Sequence, residues 1–80
     1  MLGSKLQNIL ANVFGLRADQ IGPGLTKDDV GNWDSLKQMD LVVSLERGFG
    51  VSFEIKDIMM MDSVGSIVSV LESKGVDLGA

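Results

Sequence analysis

Apolar residues recur three and four positions apart in three separate segments of this chain, and each segment runs out at a glycine: Gly15, Gly50 and Gly75. That spacing places side chains on one face of an α-helix, and glycine just past the last apolar residue is the common way to end one. Each such helix leaves an apolar face that must be covered. Three of them within 80 residues can cover one another only by packing together.

In the first segment Leu6, Ile9, Leu10 and Val13 share a face, and Ser4 with Gln7 three residues later matches a capping box. The spacing predicts a helix over Ser4 to Phe14, closed by Gly15. A loop then runs from Gly15 to Trp33, because Gly22-Pro23-Gly24 excludes regular structure there. Leu16, Ile21, Leu25 and Val30 are available to pin that loop to the core. Asp34 is a good cap for a second helix that continues through Leu36 to Phe49 and stops at Gly50. Val51, Phe53 and Ile55 alternate with polar residues, but no second strand is available to pair with them, so this stretch reads as an extended link. Ile55 to Met61 form a short third helix. Ser63 caps the last helix, whose Val64, Ile67, Val68 and Leu71 share one face, and Gly65 should weaken it. The expectation is an all-α fold: a small four-helix bundle, three main helices plus a short third one, with a long loop between the first and second.

Hydrophobic residues at 45% and charged residues at 22% belong to a folded globular chain, and the length to one domain over residues 1–80. Eleven acidic against seven basic residues give a net charge of −4, which repels nucleic acid and favours basic partner surfaces. There is no cysteine and no histidine, so there is no disulfide, thiolate metal site or thiol nucleophile. Met1 to Leu10 show no charged leader with an apolar core, and no apolar stretch reaches bilayer length. The chain is expected to be cytoplasmic, not an integral membrane protein, and a monomer.

The second helix carries two apolar stripes. At about 100° per residue, Leu41, Val42, Leu45 and Phe49 cluster on one side, as a core face. Leu36, Met39 and Val43 fall on another, with Lys37, Asp40, Ser44 and Arg47 filling one gap between the two. The second stripe can pack under the loop or the short helix, or it can remain exposed as a partner surface, where apolar contacts supply affinity and charges orient the encounter.

Ser35 follows the proposed cap, where backbone N–H groups point outward and the helix dipole favours a negative group such as a phosphodiester. The plainer reading of Asp34 and Ser35 is simple capping. A hydrolase-type serine needs a positioned base, and without histidine the usual triad cannot be assembled. There is no glycine-rich phosphate loop with its lysine. From Asp28 onward, the offsets do not match a calcium loop, and Asp28 and Asp29 read as solvated or capping residues. No catalytic residue and no metal ligand is expected.

The run Trp33-Asp34-Ser35-Leu36, continuing through Leu41-Val42-Val43-Ser44-Leu45-Glu46-Arg47-Gly48-Phe49-Gly50-Val51, resembles the acyl carrier protein family. The likeness extends over nearly the whole chain and implies a bundle of the acyl-carrier type. It implies that Ser35 receives a 4'-phosphopantetheine arm from coenzyme A through a holo-carrier synthase or other phosphopantetheinyl transferase. The thiol of that arm would carry acyl groups as thioesters to acyl-loading, acyl-modifying and acyl-transfer enzymes, with the protein catalysing nothing. Asp34 would help the transferase engage the serine, and Leu36, Met39, Asp40, Val43 and Glu46 would form the partner face.

Two departures stand out. Lys37 replaces an acidic residue of typical fatty-acid carriers, and Arg47-Gly48 replaces part of an acidic run, which points to a specialised partner set. Trp33 beside the serine resembles carriers of specialised lipid, polyketide or surface-polysaccharide pathways. Met59-Met60-Met61 can adapt to cargo or partners, or fill gaps in the core. A peptidyl or aminoacyl carrier, and an unmodified helical adaptor, remain alternatives on the residues alone.

Overall fold

A computed structural model describes residues 3–78; Met1 and Leu2, part of the stretch read for a leader, and Gly79 and Ala80 lie outside the described residues. Four helices follow in order: α1 (Ser4–Phe14), α2 (Ser35–Phe49), α3 (Ile55–Met60) and α4 (Val64–Ser73). The fold is the expected all-α bundle. Among the described residues no strand forms, and the single bridge, Thr26 to Ser63, ties the long loop to the start of α4.

The core is one apolar cluster built from Leu6, Leu10, Val13 and Phe14 of α1, Leu41, Val42 and Leu45 of α2, and Val64, Ile67, Val70 and Leu71 of α4. Val70 takes the core place expected for Val68, which is half-buried at the edge. Of the four loop pins, Ile21 and Val30 are buried, while Leu16 and Leu25 pack against the cluster from outside. Gly15 and Gly50 end α1 and α2 with φ of 68° and 67°, a left-handed conformation that a Cβ disfavours.

Two local expectations are corrected. Ser4 does not cap α1: it is the first helical residue, Gly3 holds the cap position, and no side-chain cap bond forms. The Gln7 amide instead donates to the carbonyls of Ala18 (2.6 Å) and Ile21 (3.3 Å), since loop carbonyls beside α1 need a donor more than its solvated first turn does. The loop is also not free of regular structure, because Ala18–Gln20 form one 3-10 turn before the Gly-Pro-Gly stretch. Gly65 costs helix propensity but has a packing reason, since a Cβ there would stand 3.3 Å from the Pro23 carbonyl oxygen.

α3 is held differently from the others. None of its residues is buried. Asp57 pairs with Lys74 at the end of α4 (2.8 Å), and the Lys74 ammonium lies over the Phe53 ring at 6.0 Å. Asp57 also accepts from the Glu54 amide, which caps the helix start. The Lys74 hydrogen bond, then that amide, holds the Asp57 carboxyl below its ordinary value of 3.8. At α4, Ser63 and Ser66 form a reciprocal capping box: the Ser66 amide donates to Ser63 Oγ and the Ser63 amide to Ser66 Oγ.

Candidate functional site

The chain enters α2 through Trp33, which is buried and packs against Phe14 with ring centroids 4.6 Å apart. Asp34 is extended, and its carboxylate accepts from the Lys37 amide at 3.0 Å, as an N-cap residue should. Ser35 is therefore the first helical residue, exposed, on a turn fixed from both sides.

Gln38 is the residue that sequence reasoning missed. Its Oε1 accepts from the Trp33 indole N–H at 2.6 Å, and its Nε2 donates to the carbonyls of Ile58 (2.8 Å) and Met61 (3.2 Å). One amide thus joins the segment before Ser35, the first turns of α2 and the end of α3. A signal was available: on a helical wheel Gln38 falls within the core face, between Leu45 and Phe49, and a polar group there needs partners.

The exposed stripe stays uncovered, with Leu36 83%, Met39 55% and Val43 41% accessible. Asp40 is exposed beside it, receiving a long hydrogen bond from Ser44 Oγ at 3.5 Å. Glu46 stands apart from this group. It is half-buried, and its Oε2 accepts from the Phe53 amide at 2.9 Å, so it braces the link that leads into α3. The three methionines at the end of α3 divide between the two roles their flexibility allows: Met61, the residue just after the helix, is in the core at 1% exposure, while Met59 and Met60 within it face outward. Asp29 is a capping residue, accepting from the amide and hydroxyl of Thr26.

Ser35 stands on an open helix end rather than in a cleft. Two surface hollows lie elsewhere, at Thr26, Lys27, Asp28, Asp62 and Ser63, and between the start of α1 and Phe49. At the start of α2 the first backbone N–H groups have no helical acceptor, and Asp34 engages only that of Lys37. An accessible hydroxyl beside outward donors is a fitting place for a phosphodiester. Among the described residues, no cluster of three or more potential ligand side chains is arranged for a metal ion, and no helix is long and apolar enough to cross a membrane.

Fold and site together define a helical carrier, which offers an attachment point and a face beside it. The phosphopantetheine attachment site family matches residues 4–71, and the chain belongs to that family, as one of its acyl carrier proteins. It is 36% identical over 72 residues to an acyl carrier protein of Thermotoga maritima, covering 89% of this chain and 88% of that one. With an acyl carrier protein of Exiguobacterium it shares 32% identity, over 85% of this chain and 95% of the relative. It is also 29% identical over 68 residues to a segment of a non-reducing polyketide synthase of Emericella nidulans, covering 85% of this chain and 3% of that protein. The cofactor of such a chain is covalently attached 4'-phosphopantetheine. Family membership implies a phosphopantetheinyl transferase and acyl-handling enzymes as partners.

Proposed function

We propose that Ser35 is the attachment point of the 4'-phosphopantetheine arm and that the protein is a non-catalytic, cytoplasmic, monomeric carrier with residues 1–80 as one domain. The observation that supports this most directly is the exposed hydroxyl of Ser35, on the first residue of α2, inside the segment that matches the family.

When bound, the arm supplies a thiol that holds acyl groups as thioesters. The chain's own residues prepare the acceptor. Ser35 Oγ is the nucleophile toward the phosphorus that joins the pantetheine half of coenzyme A to its nucleotide half; the O–P bond to serine forms as the phosphoanhydride bond breaks and adenosine 3',5'-bisphosphate leaves. The proton the serine hydroxyl loses passes to a base on the transferase, because the chain has no histidine and the Asp34 carboxylate is occupied in capping. Trp33 and Gln38 hold the turn, so the hydroxyl is presented at a constant place. Leu36, Met39 and Val43, flanked by Asp40, form the apolar docking face, and Glu46 acts through the link it braces. The cargo belongs to fatty acid or specialised lipid, lipopolysaccharide or polyketide biosynthesis, in keeping with relatives that include free-standing acyl carrier proteins and a polyketide synthase segment.

Intact mass after incubation with coenzyme A, magnesium and a broad-specificity phosphopantetheinyl transferase tests the reading. A phosphopantetheine-sized gain in wild type and none in Ser35→Ala is the expected result. No gain with several transferases returns the protein to the class of unmodified adaptors.

A further inference from the structure

The exposed stripe of α2 has two different flanks. On one, Glu46 is bonded to the lead-in of α3, and farther round, on the core face, Gln38 is bonded to the end of α3, so that flank faces the protein's own short helix. On the other, at about 100° per residue, lie Lys37, Asp40, Ser44 and Arg47 beside Leu36 and Val43, with Asp40 and Arg47 exposed and Lys37 and Ser44 half-buried. Read along the axis, the charges of this row are positive, negative, positive.

Among the described residues, neither cation of the row has an ion-pair partner. The ion pairs among the described residues are Arg17 with Asp19, Lys56 with Glu54 and Lys74 with Asp57. Arg47 stands in the last turn of α2, where the helix dipole favours a cation. That explanation fails for Lys37, which sits in the first turn, where the dipole disfavours one. Lys37 is also three residues from Asp40, yet the two do not pair. A cation kept at an unfavourable helix end and left unpaired is available to a counter-charge from outside the chain.

We infer that the partner docking on this face presents carboxylates to Lys37 and Arg47, with a basic group between them opposite Asp40. The inference rests on the reading of the stripe as a docking face. Ten residues separate the two cations, about 15 Å along the axis. That exceeds the screening length of about 8 Å at physiological salt, so each meets its own counter-charge. The net charge of −4 draws basic proteins from a distance, while this row selects among them at contact. The occupant is therefore a protein whose docking rim alternates acid, base, acid, rather than the uniformly basic rim that the net charge alone favours.

Two stapled amphipathic helical peptides with the same Leu and Met face test this. One carries Glu, Lys and Glu at the complementary spacing, and the other Lys, Glu and Lys. Each is titrated into the isotope-labelled full chain, as wild type and as Ser35→Ala, with amide shifts read by NMR. The Glu-Lys-Glu peptide should bind at least about fivefold more tightly, as expected for several exposed ion pairs against the same number of repulsions. The shifts should map to Leu36 through Arg47, and Lys37→Glu/Arg47→Glu should reverse the preference without loss of helical circular dichroism. Equal affinities, a Lys-Glu-Lys preference, binding of neither peptide, or a preference indifferent to the double substitution would overturn the inference. So would tighter binding to phosphatidylglycerol vesicles than to either peptide, which would assign the cations to a lipid surface. The titration does not require modification of Ser35, so its failure is separable from a failure of the carrier reading.

Discussion

Replacing Gln38 with methionine keeps the length of the side chain and removes all three of its hydrogen bonds. The Trp33 indole N–H, buried at 6% exposure for the residue, loses its acceptor. An orphaned buried donor costs about 1–3 kcal/mol. The Ile58 carbonyl keeps a partner in the Met61 amide, so losing Nε2 costs less there. The bonds to Ile58 and Met61 together add about 1 kcal/mol. The sum, about 2–4 kcal/mol, is a large share of the roughly 4–12 kcal/mol typical of 80 residues. It corresponds to a fall in melting temperature of about 10–25 °C. The loss should also be uneven. With no buried residue of its own, α3 depends on Gln38 and on the Asp57–Lys74 pair, so amide hydrogen exchange at Ile55 to Met61 should rise well before that of α1. Chemical denaturation of Gln38→Met, Trp33→Phe and the double variant gives both readouts, and the pair should couple by more than 0.5 kcal/mol, as contacting residues typically do. A Gln38→Met protein within about 0.5 kcal/mol of wild type, or strictly additive effects, would refute the account of Gln38 as the clamp between α2 and α3.

Asp57 makes stability depend on acid. Its carboxyl is lowered by Lys74 in the folded protein, so its contribution is complete above the unfolded value near 3.8 and is lost as pH falls through the lower folded one. Asp57→Asn should flatten that part of the acid limb in denaturation followed from pH 5 to pH 2. Asp34→Ala removes the cap of α2 and should cost about 0.5–2 kcal/mol, with Asp34→Asn recovering most of it, measured by thermal melting. Equal losses in the two variants would place the effect in the charge rather than in the cap. Dilute peroxide should convert Met39, Met59 and Met60 to sulfoxides well before Met61, as read by peptide mass mapping, because only Met61 is inside the core.

Local chemistry made much of this molecule legible. The cap at Asp34, the glycine stops at Gly15 and Gly50 and the two faces of α2 all follow from interactions within a few residues. The period of 3.6 and the conformational freedom of glycine act at that range. The position of Ser35 at the start of α2 was legible for the same reason, since a helix start announces itself in the sequence, while its proposed role came from the resemblance of the surrounding run to the acyl carrier protein family. Ser4 and Gln7 show where local reasoning stops. The pattern of a capping box was present, but loop residues far along the chain offered Gln7 better acceptors. Glu46 is a second case, because its partner Phe53 is reached only when the chain turns back after Gly50.

By itself, then, the sequence determined the α-helices, most of their ends, most of the core positions and the place of Ser35. Only the tertiary structure decided that Leu36, Met39 and Val43 remain uncovered, that Met61 is divided from Met59 and Met60, and that Gln38 unites Trp33 with the end of α3. The physical reason is that periodicity tells which residues share a face of one helix. What covers that face, and which distant carbonyl receives a buried donor, depends on where the other helices come to rest.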